Sequence, residues 1–245
     1  MSEVNNEIYE NYGERWYSAD DDPIALLRAE SKAKLPWVLN EIKKLGTNTR
    51  KSILDVGCGG GFLSNALVQH GFDVTGVDLS EESLRVAKAH DISGTIKYMP
   101  ADAYNLPFAD QSFDVVTAMD FLEHVERPAD VVKECARVLK PGGIFIYHTF
   151  NRNWLAWLVI IKLVEWLVKN TPKDMHILRL FIKPGELKTF CHQAGLEVQS
   201  VTGLRPVLMS LTVGSLFSGI VPKSMKFKTT TSTLLSYMGC ARKND

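Results

Sequence analysis

Residues 53–61 read ILDVGCGGG, and this stretch decides the fold. An apolar run leads directly into a cluster of four glycines, after which Phe62 and Leu63 resume an apolar pattern typical of a helix. A strand, a glycine turn and a helix form the first unit of a nucleotide-binding α/β fold. Glycine suits the turn because the chain bends sharply and because a ligand must approach bare backbone. The N-terminus of the following helix also offers unpaired N–H groups.

The spacing of the glycines excludes a phosphate-binding loop, and Asp55 indicates which ligand the turn binds. No Lys-Ser/Thr pair follows, and the pattern is G-x-G-G-G instead of G-x-G-x-x-G. A carboxylate so close to Gly57 and Gly59 would repel a pyrophosphate, but it suits S-adenosylmethionine, which has an ammonium group and no phosphate. Asp78 ends the next strand, where a carboxylate accepts hydrogen bonds from both ribose hydroxyls. A turn-capping Asp55 is the alternative, which the joint occurrence of Asp55 and Asp78 disfavours.

Length, charge and cysteine content place the chain in a broad class. Its 245 residues are enough for a single large α/β domain. The 28 Lys and Arg balance the 28 Asp and Glu, so the charge gives no reason to expect nucleic acid as a partner. The four scattered cysteines are typical of reduced thiols in a cytoplasmic protein. We predict no secretory signal, because the N-terminus lacks a basic region followed by an apolar run, and no membrane-spanning segment.

Strands and helices alternate between residues 51 and 150, which form the predicted cofactor-binding core. We predict strands at 52–57, 73–78, 95–100, 113–119 and 143–150, with helices at 61–70, 80–90 and 128–139. Such alternation with short links predicts an α/β fold with a doubly wound, mostly parallel sheet. Residues 1–50 are predicted to form a helical lid. Residues 151–245 are predicted to hold a helical insertion after the fifth strand, a loop or lid at 203–231 beside the pocket, and an antiparallel closing strand at 233–241.

Ligands of such folds bind beyond the carboxyl ends of the parallel strands, so the residues there are candidates for the site. Asp102 follows the third strand, where it is placed either to accept from the adenine amino group or to serve a surface turn. Met119 ends the fourth strand and is followed by Asp120, Glu123 and His124. Oxygen-rich ligands with one imidazole suit a hard divalent ion such as Mg²⁺. The spacing alone favours the alternative, in which His124 packs and Glu123 begins a helix.

Residues 154–168 are apolar on nearly every side and contain three tryptophans. The segment is too short and too charged to span a bilayer, since Lys162 and Glu165 interrupt it. A soluble protein rarely exposes so much apolar surface without a use. Three interpretations are open: a core helix, a dimer contact, or a helix lying in the membrane plane that also roofs an apolar pocket. The tryptophans favour the last of these.

Two sets of motifs resemble known families. Residues 53–61 together with Asp78 resemble motif I and the acidic second-strand end of the class I S-adenosylmethionine-dependent methyltransferases. A narrower resemblance to the ubiquinone-biosynthesis O-methyltransferases rests on several downstream segments, which are 119–125 (MDFLEHV), 149–153 (TFNRN), 171–173 (TPK), His176, 181–187 (FIKPGEL) and 236–242 (SYMGCAR).

The narrower resemblance implies methylation of a catechol-type hydroxyl on a polyprenylated aromatic intermediate of ubiquinone biosynthesis. It implies association with the inner membrane, use of a divalent ion, and other quinone-biosynthesis enzymes as partners. It also implies cofactor contacts at Gly57, Asp78 and Met119, and metal ligands at Asp120, Glu123 and His124. For the chemistry we expect either this metal or His176, acting as a general base, to deprotonate the hydroxyl, which makes Glu123, His124 and His176 the predicted catalytic residues.

The chain departs from the pattern of this family at two places. The family usually has Glu where Asp120 stands, and its His-Arg-Ile-Asn-Pro stretch reads LRAES at residues 27–31, where Arg28 alone remains. The alternative acceptor is therefore another hydrophobic small molecule. Two further classes are weighed: an NAD-dependent oxidoreductase, which Asp55 opposes, and a non-catalytic S-adenosylmethionine-binding protein, which Glu123, His124 and the apolar segment 154–168 oppose.

Overall fold

The computed structural model describes residues 6–46, 50–210 and 218–244, and in these ranges the chain builds an eight-stranded sheet. The strands, in chain order, are β1 (Ser52–Val56), β2 (Asp73–Asp78), β3 (Lys97–Pro100), β4 (Phe113–Met119), β5 (Leu139–Phe150), β6 (Leu196–Pro206), β7 (Phe227–Thr230) and β8 (Ser236–Lys243). Their order across the sheet is β3-β2-β1-β4-β5-β8-β6-β7. The first five strands pair in parallel, whereas β8 is antiparallel to β5 and β6. The predicted mostly parallel sheet with an antiparallel closing strand is confirmed.

Helices cover both faces of the sheet. They are α1 (Arg15–Ser18), α2 (Ile24–Lys43), α3 (Phe62–Gln69), α4 (Glu81–Ala89), α5 (Pro128–Val138), α6 (Trp154–Ala156), α7 (Leu163–Leu167) and α8 (Pro184–Gln193), with a π-helical stretch at Trp157–Lys162. Side chains of a strand alternate between faces. Accordingly, Leu54 of β1 is buried in one cluster with Val131 of α5, while Ile53 is buried in another with Leu67 of α3. The doubly wound arrangement is therefore confirmed.

Two predicted boundaries need correction. β5 begins at Leu139 and not at residue 143 as predicted, so the Pro-Gly-Gly sequence at 141–143 lies inside the strand. The register with β4 shifts there, which accommodates the extra residues as a bulge. The predicted loop at 203–231 contains the end of β6 and all of β7, which pair antiparallel. The Phe and Thr residues of β7 favour a half-buried edge strand. The polar residues around them had instead favoured a loop. Residues 1–5 and 211–217, which carried part of the signal and lid predictions, lie outside the described ranges.

The insertion after β5 is helical over residues 154–167 and presents two different sides. Ile161 is buried in a cluster with Phe150 and Phe181. Trp154 and Trp166 are 72% and 66% exposed. Among the described residues, none of the helices has the length and apolar character needed to cross a membrane.

Candidate active site

The glycine turn after β1 is confined between two aromatic rings. Gly57 has a φ of 67°, and a Cβ atom there would lie 2.2 Å from the ring of Phe121. A Cβ atom at Gly60 would lie 2.7 Å from the indole of Trp16 in the N-terminal segment. Tyr17 of the same segment donates to the carbonyl oxygen of Gly60 at 2.9 Å. Glycine is therefore required both by the conformation of the turn and by the close approach of its neighbours.

Asp55 lies beneath the turn and joins it to two elements. Its carboxylate accepts hydrogen bonds from Ser64 of α3 and Thr117 of β4, each at 2.6 Å. Burial raises the pKa of Asp55 to about 6, although both hydroxyl groups oppose this shift. Asp55 also lines the cavity above the turn. The structure therefore shows Asp55 linking α3 to β4 through side-chain hydrogen bonds, rather than capping the turn, and also lining the cavity.

A cavity of about 200 Å³ lies above the turn, and we call it the cofactor cavity. All six predicted cofactor contacts line it, namely Asp55, Gly57, Gly59, Asp78, Asp102 and Met119. Asp78 accepts from the backbone N–H groups of Gly59 at 2.8 Å and Ser80 at 2.9 Å. A carboxylate has about four acceptor positions, so Asp78 keeps capacity for the two hydroxyls of a ribose. Leu79, 73% exposed, also lines the cavity and was not predicted.

A second cavity of about 210 Å³ lies beneath the insertion, and we call it the acceptor cavity. Most of its lining is apolar and includes Phe150, Val159, Ile160, Leu163, Val164, Leu167 and Met175. Four residues line both cavities, namely Tyr9, Leu27, Asp120 and His124. A ligand in either cavity would reach these four side chains. We call this place the junction.

The predicted catalytic residues differ in their positions relative to the junction. His124 belongs to it, with Nε2 3.4 Å from the hydroxyl oxygen of Tyr9. His176 lines the acceptor cavity, and its ring centroid is 5.2 Å from that of His124. Burial lowers the pKa of His124 to about 4, and burial together with His124 lowers the pKa of His176 to about 3. Both rings are thus neutral near pH ~7 and able to accept a proton.

Glu123 does not face either cavity. It is 1% exposed and accepts a hydrogen bond from the Thr149 hydroxyl at 2.8 Å. Burial, reinforced by the nearby charge of Asp120, raises the pKa of Glu123 well above its usual value and so favours the protonated carboxyl group. The structure therefore supports a packing role for this residue and does not place it among the groups that would contact a substrate.

In the part of the chain that the structure describes, the predicted metal ligands Asp120, Glu123 and His124 do not form one of the groups whose ligand atoms converge closely. Among the described residues, the acidic, His and Cys side chains that converge closely enough for one ion are Glu30, Asp120 and His148. Each Asp120 carboxylate oxygen already lies 2.6 Å from the ammonium of Lys34. Two features bear on the metal prediction, which stays a prediction: the Lys34 ammonium group lies next to Asp120, and the Glu123 carboxyl group is hydrogen-bonded to Thr149.

The sequence did not predict that Tyr9 and Lys34 lie at or beside the junction. Tyr9 belongs to the predicted helical lid, but nothing in its surroundings indicated that it reaches the junction. Lys34 lies four residues after Glu30 on α2, and that spacing places both side chains on one face of a helix. The spacing of Glu30 and Lys34 could have indicated this ion pair, but ordinary ion pairs on the surface of a helix have the same spacing.

Comparison with known sequences identifies a shared domain and close relatives. A family model described as "Methyltransferase domain" matches residues 54–147. A ubiquinone biosynthesis O-methyltransferase of Pseudomonas entomophila is 36% identical over 200 residues, which cover 80% of this chain and 84% of that protein. An enzyme of the same name from Bordetella avium is 38% identical over 194 residues, which cover 78% of each chain.

Comparison with solved structures supports the same fold. A protein from Pyrococcus horikoshii matches with a TM-score of 0.64 and 21% identity, covering 97% of this chain and 99% of that one. The magnesium protoporphyrin IX methyltransferase of Synechocystis, solved with bound SAH, matches with a TM-score of 0.60 and 19% identity, covering 90% of this chain and 84% of that one. At such identities the likeness concerns the fold.

The buried carboxylate of Asp55 generates a prediction about pH. Its pKa is about 6 in the folded chain and near 3.8 in the unfolded chain, so between these values the folded state holds the proton that the unfolded state has released. The free energy of unfolding therefore falls as pH rises through this window. Relative to Asp55→Asn, which cannot titrate, we expect the wild type to lose on the order of 1–3 kcal/mol between pH ~4 and pH ~7 in urea unfolding.

Asp114→Asn provides the control for this measurement. Partial burial opposes the shift, but hydrogen bonds from Ser52 and the charge of Lys140 lower the pKa of Asp114, so this carboxylate is ionised in both states above pH ~4. The difference between wild type and Asp114→Asn should stay constant over the same window. A constant difference for Asp55→Asn as well would contradict the assignment of a raised pKa to Asp55.

Proposed function

Because the chain belongs to the family of ubiquinone biosynthesis O-methyltransferases, and is thus an S-adenosylmethionine-dependent O-methyltransferase, we propose that it methylates a phenolic hydroxyl of a polyprenylated aromatic compound. The compound would be an intermediate of ubiquinone biosynthesis. One observation carries the proposal: a largely apolar cavity meets the cofactor cavity at Tyr9, Leu27, Asp120 and His124. The aromatic ring would lie at this junction, and the apolar tail would lie along the insertion.

The chemistry at the junction needs a group that removes the hydroxyl proton. Bound S-adenosylmethionine supplies an electrophilic methyl carbon, whose bond to sulfur breaks as the bond to oxygen forms. A phenol has a pKa near ~10, so its proton must pass to a base during the transfer. We assign His124 as this base, because its neutral ring lines both cavities, whereas His176 lines the acceptor cavity alone. We assign His176 to hold the acceptor ring, together with Phe150, which it meets edge-on at 5.1 Å.

The insertion would bring the acceptor from a membrane to the cavity. Val159 and Leu163 line the acceptor cavity, while Trp154 and Trp166 are largely exposed. Tryptophan suits the boundary between lipid and water, and an exposed apolar surface of this kind is typical of an interaction site. We propose that the exposed side of segment 154–167 lies in the membrane interface. Association with other enzymes of quinone biosynthesis stays a prediction from the resemblance.

A second acceptor class is favoured by one feature of the acceptor cavity. Glu30 and Asp120 line it, so acidic groups lie near the reacting end. Lys34 pairs with both carboxylates but carries a single positive charge, so a hydrophobic small molecule with a basic group near its hydroxyl would be attracted from the cavity side by the remaining negative charge. Such a compound would bind mainly through its charge, whereas a prenylated catechol would bind mainly through its apolar tail. The two acceptor classes therefore differ in how strongly methylation depends on a tail.

The acceptor proposal predicts a strong dependence on the tail. Purified protein would be given S-adenosylmethionine and either a prenylated catechol or the same catechol without its tail, and the methyl ether would be quantified by mass spectrometry. Burial of apolar carbon is worth about 0.8 kcal/mol per methylene, so we expect kcat/KM to rise at least roughly 100-fold with the tail. Equal values for both compounds, or a preference for a tail-less amine, would support the second acceptor class instead.

The assignment of the base predicts unequal effects of two histidine substitutions. His124→Gln should lower kcat by about 10²–10⁴-fold with little change in KM, which is the usual contribution of a general base. His176→Gln should raise KM for the acceptor more than it lowers kcat. His192→Gln, at an exposed position of α8, is the control and should match the wild type. A larger loss of kcat in His176→Gln than in His124→Gln would transfer the role of base to His176.

The membrane proposal predicts that exposed tryptophans, and not buried residues of the same segment, determine binding to lipid. Trp154→Glu/Trp166→Glu should lower the fraction of protein that floats with phospholipid vesicles by at least about tenfold, because charged groups are costly in the interface. Ile92→Glu, at an apolar position 91% exposed, is the matched control and should float like the wild type. Undiminished flotation of the double variant would remove segment 154–167 as the membrane contact.

A further inference from the structure

Lys34 of α2 is buried, and its ammonium group lies among acidic side chains at the edge of the junction. Its side chain is 2% exposed, and its Nζ atom lies 2.9 Å from Glu30 and 2.6 Å from both carboxylate oxygens of Asp120. On the other side, Nδ1 of His148 lies 2.5 Å from Oδ1 of Asp120. An ammonium group placed symmetrically between two oxygens of one carboxylate occupies the position from which a metal ion would bind in a bidentate manner.

The same cluster has donors for a metal ion. One ligand atom each of Glu30, Asp120 and His148 lies within 4.8 Å of the others. Carboxylate oxygens and an imidazole nitrogen suit a divalent ion such as Mn²⁺. Lys34, however, already brings a positive charge to both carboxylates, and two cations so close together repel each other strongly in a buried site.

We propose that the Lys34 ammonium group is a permanent cation beside the junction and that methyl transfer in this chain is therefore independent of metal. Removal of this ammonium group opens a metal site at Glu30, Asp120 and His148. Lys34 itself lines neither cavity, so it is a positioning residue that acts through Asp120 and Glu30. Its charge offsets those of the two carboxylates, which would otherwise repel the negative charge that develops on the acceptor oxygen.

The proposal concerns the cation and not the acceptor, so it holds whichever hydroxyl compound is methylated. Its main test is accordingly a metal-binding experiment that needs no acceptor, and the effect of a chelator on methyl transfer is measured only with an acceptor for which turnover has been shown. Failure of this test and failure of the proposed function are therefore distinguishable.

The experiment is a calorimetric titration of metal-stripped protein with Mn²⁺. The wild type should bind no Mn²⁺ stoichiometrically. Lys34→Ala should bind one ion per chain at least roughly tenfold more tightly than the wild type, because the repelling ammonium group is gone. Lys34→Met, which keeps the apolar stem, should gain the same site. Lys44→Ala is the matched control, since Lys44 lies at the end of the same helix and pairs with Glu41 at 2.6 Å.

Two further measurements assign the site and the folded state. Lys34→Ala/Asp120→Asn should lose the acquired binding, which locates the ion at Asp120. Binding of adenosylhomocysteine, measured by thermal shift, identifies the variants that are folded. A folded Lys34→Ala that binds no Mn²⁺ would overturn the proposal.

If the variants do not fold, measurements on the wild type alone still test the proposal. Stoichiometric Mn²⁺ binding by the wild type would overturn the proposal. Loss of methyl transfer in a chelator, restored by added Mg²⁺, would overturn it too. Unchanged turnover in the chelator, with no Mn²⁺ bound, is the result that we expect.

Discussion

The ion pair between Lys34 and Asp120 joins the N-terminal segment to the sheet, and the two cavities meet beside that pair. Lys34 belongs to α2 and Asp120 directly follows β4, so their contact links residues 86 positions apart. A buried charge is tolerated where it is paired, and removal of one partner typically costs about 3–5 kcal/mol. The contact therefore does more than stabilise the chain. It holds α2, which carries Leu27 of the junction, against the end of the strand that carries Asp120 and leads to His124.

Burial controls the protonation states around this pair. Burial alone would raise the pKa of Asp120, but Lys34 and His148 together hold it well below its usual value. For Glu123, burial and the charge of Asp120 outweigh the hydrogen bond from Thr149 and the charge of Lys34, so its pKa is raised. The pKa values of two carboxyl groups three residues apart are thus shifted in opposite directions. Such divergence is a common means of giving neighbouring acids different roles.

Burial, which shifts the pKa values of these two carboxyl groups, also keeps the two histidine rings neutral. His124 and His176 both line the acceptor cavity, and their pKa values of about 4 and 3 follow mainly from burial. The apolar lining of the acceptor cavity therefore has two consequences. It accommodates a hydrophobic acceptor, and it leaves an imidazole free of its proton beside the place where a hydroxyl would react.

Local sequence was sufficient to predict the sheet and the cofactor cavity. Gly57, Asp78 and Met119 lie at the ends of parallel strands, and the topology of such a sheet brings those ends together whatever the other side chains are. The direction in which Glu123 points was not predictable in this way, because one short helical turn decides whether it meets the cavity or Thr149. β7 was missed because its pairing with β6 depends on a partner more than twenty residues away, and not on local composition.

The two places where the sequence departs from the pattern that it resembles meet in one structural feature. They are Asp120 and residues 27–31, which include Glu30. In the folded chain both carboxylates contact the ammonium of Lys34. Burying a lysine between α2 and the end of β4 is costly unless its charge is paired, and the carboxylates of Glu30 and Asp120 together offset that cost. Residues far apart along the chain thus depend on one another, because a buried charge must be neutralised by groups within a few ångströms, wherever in the sequence they lie.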